Sequence, residues 1–553
     1  MFVEKVVTRV MPTVVFFTLA LGGCAEPPDS EAAPPGVQVP EVSAPILPNG
    51  GLVVYVVVDQ LRADLLDRYQ EVFVGGLARL LQEGLRFSNA TFDHAQTSTS
   101  PGHGTAATGT HPHRHGLVGN NWEERLPDGS WESVYALRDL STEIVGYPEM
   151  EGRGPANLDR QGLPDWIMAA DPGARVVSLS GKDRAAIAMA GHVRGDVYWL
   201  DSGLGRFITS TYYRDQYPDW LEDFHNSDMP RLWADTVWHS EVPVEAARLS
   251  RPDTFPYEGD GVNTYFPHRA SREAGGESEH DLNEWRGRGP YPDQATIALA
   301  KGAVEELDLG QRGVLDYLSV ALSQVDRVGH DYGPLSREQL DNLIRLDREL
   351  GSFLDFLDAQ LGEDGWVLAL TADHGVMDLP EARQQAGEYG RRISPDERRA
   401  MISRAEAAAE AAGGDPLERA RAAAQAALES DWVEDAFAWE DLSAGAEPDT
   451  LRALFAHSYH PERALPPLGH LGVALRTVEG AYSGRYPTGT GHGSPYYFDR
   501  HVPFILRVPG LSAGTNFERV SIVDLAPTLA SLLEIPFPAD LDGRPVVRVH
   551  GRN

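Results

Sequence analysis

The chain has a single cysteine, Cys24, in 553 residues. No intramolecular disulfide can form. Lysine is almost as scarce: Lys5, Lys182 and Lys301 are the whole set, and arginine supplies the other positive charge. Basic residues are outnumbered, 48 against 82 acidic ones, for a net charge of −34. Nucleic-acid binding wants a basic face, so this balance argues against it. A small, locally positive anion pocket stays compatible, and a lysine kept inside a motif gains weight. A long hydrophobic run near the start is also lacking: Val10 to Leu21 is too short to span a bilayer comfortably.

That short run has a recognisable setting. Lys5 and Arg9 precede it, and Leu21-Gly22-Gly23-Cys24 follows. A charged segment, a short apolar segment and small residues make an export signal. Leu-Gly-Gly-Cys also resembles a bacterial lipobox, which implies a lipidated Cys24 and a location at the cell envelope or periplasm. A plain secretory signal is the alternative. Residues 1–24 are thus expected to be a signal peptide. Residues 25–48, rich in Pro, Ala and Glu, are expected to be an extended tether.

The folded part is expected over 49–553 as an α/β unit, a largely parallel central sheet flanked by helices with inserted cap segments. Leu52 to Val58 is continuous, apolar and β-branched, as in a strand buried on both faces. Arg175–Ser180, Leu315–Leu322, Trp366–Leu370 and Val502–Val508 repeat that signal. Arg86–Phe92 reads as an edge segment. Helices are expected at Val74–Gly84, Pro292–Leu307, Leu335–Leu361 and Ile522–Leu533. Insertions are expected at about 120–171, 196–290 and 380–485, the last beginning with exposed Ala/Glu/Arg-rich helices.

The strand ends carry the chemistry. Asp59 follows the first strand, a usual place for ligand chemistry in parallel sheets. Asp326 and His330 follow a later one, Asp373-His374 another, and His492 lies in a Gly-rich loop. Mixed His/Asp sets suit zinc. Six such ligands exceed what one tetrahedral ion with an open position needs, and they fit two ions clamping an in-line phosphoryl displacement. Between these strands, Ser98-Thr99-Ser100-Pro101-Gly102-His103 enters a helix. Its N-terminal field favours an anion, and three hydroxyls are available there. His111, His113 and His115 are read as a loop after that helix, and His103 as structural.

The order strand–Asp59, Thr99-x-Pro101-Gly102-His103, Asp326-x-x-x-His330, Asp373-His374-Gly375, Gly489-x-Gly491-His492-Gly493-Ser494 resembles the alkaline phosphatase superfamily. Gly119-Asn120-Asn121-Trp122, Ser180-Gly181-Lys182-Asp183-Arg184 and Phe207-Ile208-Thr209-Ser210-Thr211-Tyr212-Tyr213 are similar to the PafA-type, threonine-nucleophile phosphomonoesterases. The resemblance implies that Thr99 is the nucleophile and forms a phosphothreonine. It implies one zinc held by Asp59, Asp373 and His374 beside Thr99, and a second held by Asp326, His330 and His492. It implies Asn120, Lys182 and Arg184 as ligands of the phosphoryl oxygens, with Asn121 an adjacent alternative. The expected substrates are small-molecule phosphate monoesters. A nucleotide pyrophosphatase/phosphodiesterase on the same metals is one alternative, and a non-catalytic phospho-ligand-binding surface lipoprotein another. The cationic Lys182/Arg184 pair favours the monoester, whose dianion carries one charge more than a diester.

Overall fold

Gly51 to Val58 form an eight-residue strand with every residue buried. We call it β1 among the strands of the central sheet. Val and Tyr are at home on a pleated surface, and an unbroken apolar run suits a strand covered on both faces. The computed structural model describes residues 40–43, 46–442, 450–484 and 487–550. The expected signal peptide, Cys24 and most of the expected tether lie outside them. Among the described residues no helix is long and apolar enough to cross a membrane.

The remaining strands of the sheet are β2 (Leu85–Thr91), β3 (Val176–Ser180), β4 (Asp196–Asp201), β5 (Arg206–Ile208), β6 (Leu315–Leu322), β7 (Trp366–Thr371), β8 (Phe504–Arg507) and β9 (Gly514–Ser521). Their order across the sheet is β9-β2-β8-β7-β1-β6-β3-β4-β5. The five strands from β7 to β4 pair in parallel. β8 is antiparallel to β7 and β2, and β5 to β4. The sheet is therefore mixed but largely parallel, as expected.

Four expected boundaries change. Arg86–Phe92 is not an edge, because β9 pairs outside it. Residues 196–208 are not insertion: β4 and β5 complete the sheet. The 120–171 segment contains a hairpin, Asn121–Arg125 with Trp131–Tyr135, and ends in helix Leu163–Ala170, whose Leu163, Trp166 and Ile167 join the main core. The tether ends early, since Glu41–Ser43 pairs in parallel with Arg548–His550 and buries Val42. The helices Pro395–Ala412 and Pro416–Ala427 share a small core of their own through Met401, Ala405, Ala423 and Ala427. That segment is thus only partly exposed.

Five helices matter for the site: α1 (Thr99–Thr108), α2 (Asp183–Ala190), α3 (Tyr291–Glu306), α4 (Gln324–Tyr332) and α5 (Arg337–Leu361). α1 follows β2, α2 follows β3 and α4 follows β6. Asp59 continues β1, its N–H bonded to the Leu322 carbonyl at 2.9 Å. Asp373 and His374 lie just past β7. His492 comes before β8, which runs the opposite way, so its loop reaches the same edge. The topology thereby gathers six remote segments at the C-terminal edge of the parallel strands.

Candidate active site

Ser98 has extended backbone (φ −148°, ψ 169°), and Thr99 is the first helical residue of α1. The Ser98 side chain makes no capping bond, and the Ser98 and Ser100 hydroxyls are buried without a partner. Pro101 fits the first turn, where its missing N–H is no loss. Thr99 is 1% exposed. The Ser100 N–H donates to Asn120 Oδ1 at 2.8 Å, so Asn120 docks on the helix N-terminus beside Thr99. Its neighbour Asn121 is exposed and paired into the hairpin.

α1 passes very close to Asp373. A Cβ at Gly102 would stand 2.0 Å from the Asp373 carbonyl oxygen, so no residue but glycine fits there without a backbone shift. One residue on, His103 Nδ1 lies 2.9 Å from the Thr99 carbonyl and 3.3 Å from Asp373 Oδ2. His103 thus sits between the Thr99 turn and the Asp373 carboxylate, its Nδ1 turned to the Thr99 carbonyl.

The six expected ligands converge. His374 Nε2 lies 3.5 Å from Asp59 Oδ1 and 3.4 Å from Asp373 Oδ2. His330 is one helical turn beyond Asp326 on α4, and its Nε2 is 3.2 Å from Asp326 Oδ1. His492 Nε2 is 3.6 Å from the same oxygen. Asp326, His330 and His492 form one group that could hold a metal, and Asp59, Asp326 and His374 another. Asp326 therefore stands between the two.

The donor chemistry fits cations. The three histidines all turn Nδ1 to a backbone carbonyl: His330 to Thr490 at 2.8 Å, His374 to Gly375 at 2.9 Å and His492 to Thr97 at 2.7 Å. A carbonyl only accepts, so Nδ1 carries the proton and Nε2 presents its lone pair to the cluster. Asp59 Oδ1, Asp373 Oδ2 and His374 Nε2 are buried with no hydrogen-bond partner. Buried lone pairs facing one another at such distances are costly unless a cation sits among them.

Lys182 answers part of that charge. Its Nζ donates to Asp59 Oδ2 at 2.6 Å and to Asp326 Oδ2 at 2.5 Å. Burial, with the Asp326 and Asp373 carboxylates nearby, pushes Asp59 well above the usual carboxylate range despite that contact. Burial works on Asp326 too, but Lys182, His330 and His492 outweigh it and hold it well below the range. Burial drives His492 and His374 down, which favours the neutral imidazole a metal would need. Arg184 opens α2 behind Lys182. Burial opposes its charge, yet Tyr135, Asp183 and Asp59 keep it above its usual range.

Two contributors escaped the motif reading. Gln60 donates its N–H to Asp373 Oδ1 at 3.0 Å and its Nε2–H to Asp326 Oδ1 at 2.7 Å, linking both groups. It adopts φ 69°, uncommon for a non-glycine residue and held here by those bonds. Its position directly after the strand-end Asp59 was the available signal. Arg327, next to Asp326, is held below its usual range by burial and by the charge of Arg184. By contrast His111, His113 and His115 stay out of the cluster. His111 stacks on His457 with ring centroids 3.9 Å apart, and His115 Nε2 meets Thr105 Oγ1 at 3.1 Å.

Residues 53–466 match the model of the type I phosphodiesterase / nucleotide pyrophosphatase family. The chain belongs to that family. The chain is also similar along most of its length to proteins named alkaline phosphatases. Alkaline phosphatase PhoK of a Sphingomonas species is 32% identical over 544 residues, 91% of this chain and 92% of the relative. Alkaline phosphatase PhoV of Synechococcus elongatus is 30% identical over 521 residues, 89% of this chain and 92% of the relative. The crystal structure of alkaline phosphatase PafA superposes with a TM-score of 0.80 at 27% identity, covering 90% of this chain and 98% of that one. The expected membership of the alkaline phosphatase superfamily, PafA type, is borne out, and so is the α/β architecture.

Proposed function

We propose that this member of the type I phosphodiesterase / nucleotide pyrophosphatase family is a two-zinc phosphate monoesterase acting through a phosphothreonine at Thr99. The observation that carries the reading is the placement of Lys182 and Arg184 beside convergent Asp/His lone pairs, with Thr99 at the N-terminus of α1. Asp59, Asp373 and His374 would hold one zinc, with Thr99 beside it, and Asp326, His330 and His492 the other. When bound, the two ions would supply Lewis acidity toward the nucleophilic and departing oxygens.

The chain's own groups do the rest. Thr99 Oγ1, having lost its proton, attacks phosphorus, and the ester oxygen leaves as the alcohol after taking up a proton. Water then attacks the phosphothreonine, releases inorganic phosphate and restores the hydroxyl. The α1 N-terminus favours negative charge on Oγ1. Asn120, Lys182 and Arg184 bind the non-bridging oxygens. A monoester dianion offers three of them, and a guanidinium and an ammonium match that charge better than they match a diester. Each displacement inverts phosphorus, so the overall result is retention.

A phosphodiesterase is the second reading, favoured by the name of the matching family model. The acidic surface gives no support to a polymeric nucleic-acid substrate. A binding-only role is disfavoured by the presence of the nucleophile and of every expected ligand. Export, and lipidation of Cys24 as a membrane anchor at the envelope, remain part of the proposal and rest on the residues around Cys24. The test is turnover of paired aryl monoesters and diesters by the zinc-loaded protein. Monoester preference by several orders of magnitude in kcat/KM supports the proposal, and diester preference overturns it.

A further inference from the structure

α4 carries two of the six expected ligands, Asp326 in its first turn and His330 one turn on. Asp326 belongs to both groups that could hold a metal, so a shift of this helix displaces ligand atoms directly. The residue before the helix, Ser323, is of a type that commonly caps, yet its side chain makes no capping bond.

The cap comes from another helix. Asp293, in the first turn of α3, is 4% exposed and turns both oxygens to the start of α4. Its Oδ1 accepts the Ser323 N–H at 2.7 Å, and the Gln324 N–H lies 3.3 Å from Oδ1 and 3.2 Å from Oδ2. These are among the N–H groups that a helix start leaves without an intrahelical partner. One negative charge thus meets the positive ends of two helices. Burial pushes Asp293 up to about 7, against the pull of the two N–H groups and of Lys182. In alkaline solution it is ionised, and the cap is charge-assisted. Gln324 adds a second tie, its side-chain amide donating to the Gly287 carbonyl at 3.0 Å and to that of Gly289.

We propose that Asp293 is a positioning residue for the second metal: it fixes where α4 begins, and thereby where Asp326 and His330 present their ligand atoms. The proposal rests on the two-zinc reading above. The first ion draws Asp59, Asp373 and His374 from segments outside α4, so the loss of Asp293 falls on the second.

The test is zinc binding by the full chain in alkaline buffer, measured by competition with a chelator and read as two affinities. Asp293→Ala should weaken one site by about 10–100-fold, the usual cost of losing a group that orients ligands, and the other by less than about threefold. Asp293→Asn keeps an acceptor oxygen but loses the charge, so it should fall between wild type and Asp293→Ala. It decides the question alone if Asp293→Ala does not fold. In a His330→Ala background, which retains only the first ion, Asp293→Asn should leave the remaining affinity unchanged. A merely structural cap would lower the melting temperature without separating the two affinities. Both affinities unchanged in Asp293→Asn, or both lowered alike, overturns the assignment. A wild-type protein with a single zinc site overturns the two-zinc reading, and this assignment with it, a failure seen before any variant is made.

Discussion

Lys182 Nζ donates to Asp59 Oδ2 at 2.6 Å, in a setting where the lysine is 5% and the aspartate 1% exposed. One of only three lysines in the chain is spent on a strand-end carboxylate. A buried ammonium there is a partner for the acidic cluster, and in the proposed mechanism it also donates to an incoming phosphoryl oxygen. Replacing Lys182 and Arg184 together by alanine should therefore lower kcat/KM for aryl monoesters by roughly 10³-fold or more, since one lost oxyanion donor costs about 10²–10³. Diester turnover by the same variant should fall far less. Equal losses on both substrates would remove the basis for the monoester assignment.

Gly102 is a packing requirement. Its missing Cβ leaves 2.0 Å to the Asp373 carbonyl, and backbone on both sides must move to admit a methyl group. Gly102→Ala should lower stability by about 1–3 kcal/mol through overpacking. It should cost activity as well, because α1 carries Thr99 and Asp373 is an expected ligand. Thermal melts and kcat/KM read the two effects. A variant with wild-type melting and turnover would mean that the approach of α1 to Asp373 is looser than drawn.

Gln60 bridges Asp373 and Asp326 without belonging to any ligand motif. Gln60→Ala should weaken metal retention by about 10–100-fold, the usual cost of losing a group that orients ligands. Competition with a chelator, followed by metal analysis, measures this directly. The wild-type protein stripped of metal should melt lower and recover with zinc. Unchanged metal affinity in the variant would confine Gln60 to a turn-forming role.

The cap has its own pH response. His268 is 1% exposed, with Nε2 3.1 Å from Glu338 Oε1 and Nδ1 3.4 Å from Glu273 Oε1. Burial opposes its charge, but the two glutamates prevail and raise it to about 9. A raised histidine stabilises fully below its unfolded value of about 6.5 and loses that contribution as pH rises through about 9. Burial and Glu338 also raise Glu258 to about 8 and Asp253 to about 7, which has the same sign. The melting temperature should therefore fall between pH 7 and 9. His268→Gln should melt lower at pH 6 and show a shallower fall. A parallel pH profile in that variant would remove His268 from the explanation.

Much of this site was legible because its residues stand at the ends of strongly patterned strands. The unbroken run Leu52–Val58 placed Asp59, and Trp366–Leu370 placed Asp373 and His374. What escaped the sequence is non-local or weakly patterned. β9 reads GTNFERVS and is mostly exposed, so nothing in it announced a strand covering β2. β4 and β5 sit among Asp, Gly and aromatic residues that read as insertion. The pairing of Glu41–Ser43 with Arg548–His550 joins the two ends of the described chain, and no local periodicity encodes it. Gln60 carries no metal-ligand signature, and its role appears only when Asp373 and Asp326 are brought to its two amide groups.

The central claim is covalent transfer through Thr99, and the stereochemistry at phosphorus tests it most directly. The zinc-loaded enzyme would be given an aryl monoester with an oxygen-isotope-chiral phosphoryl group and an alcohol as acceptor, and the product's configuration read by ³¹P NMR. Two displacements, by Thr99 and then by the acceptor, predict net retention. Net inversion would mean a single direct displacement, with no phosphothreonine on the path.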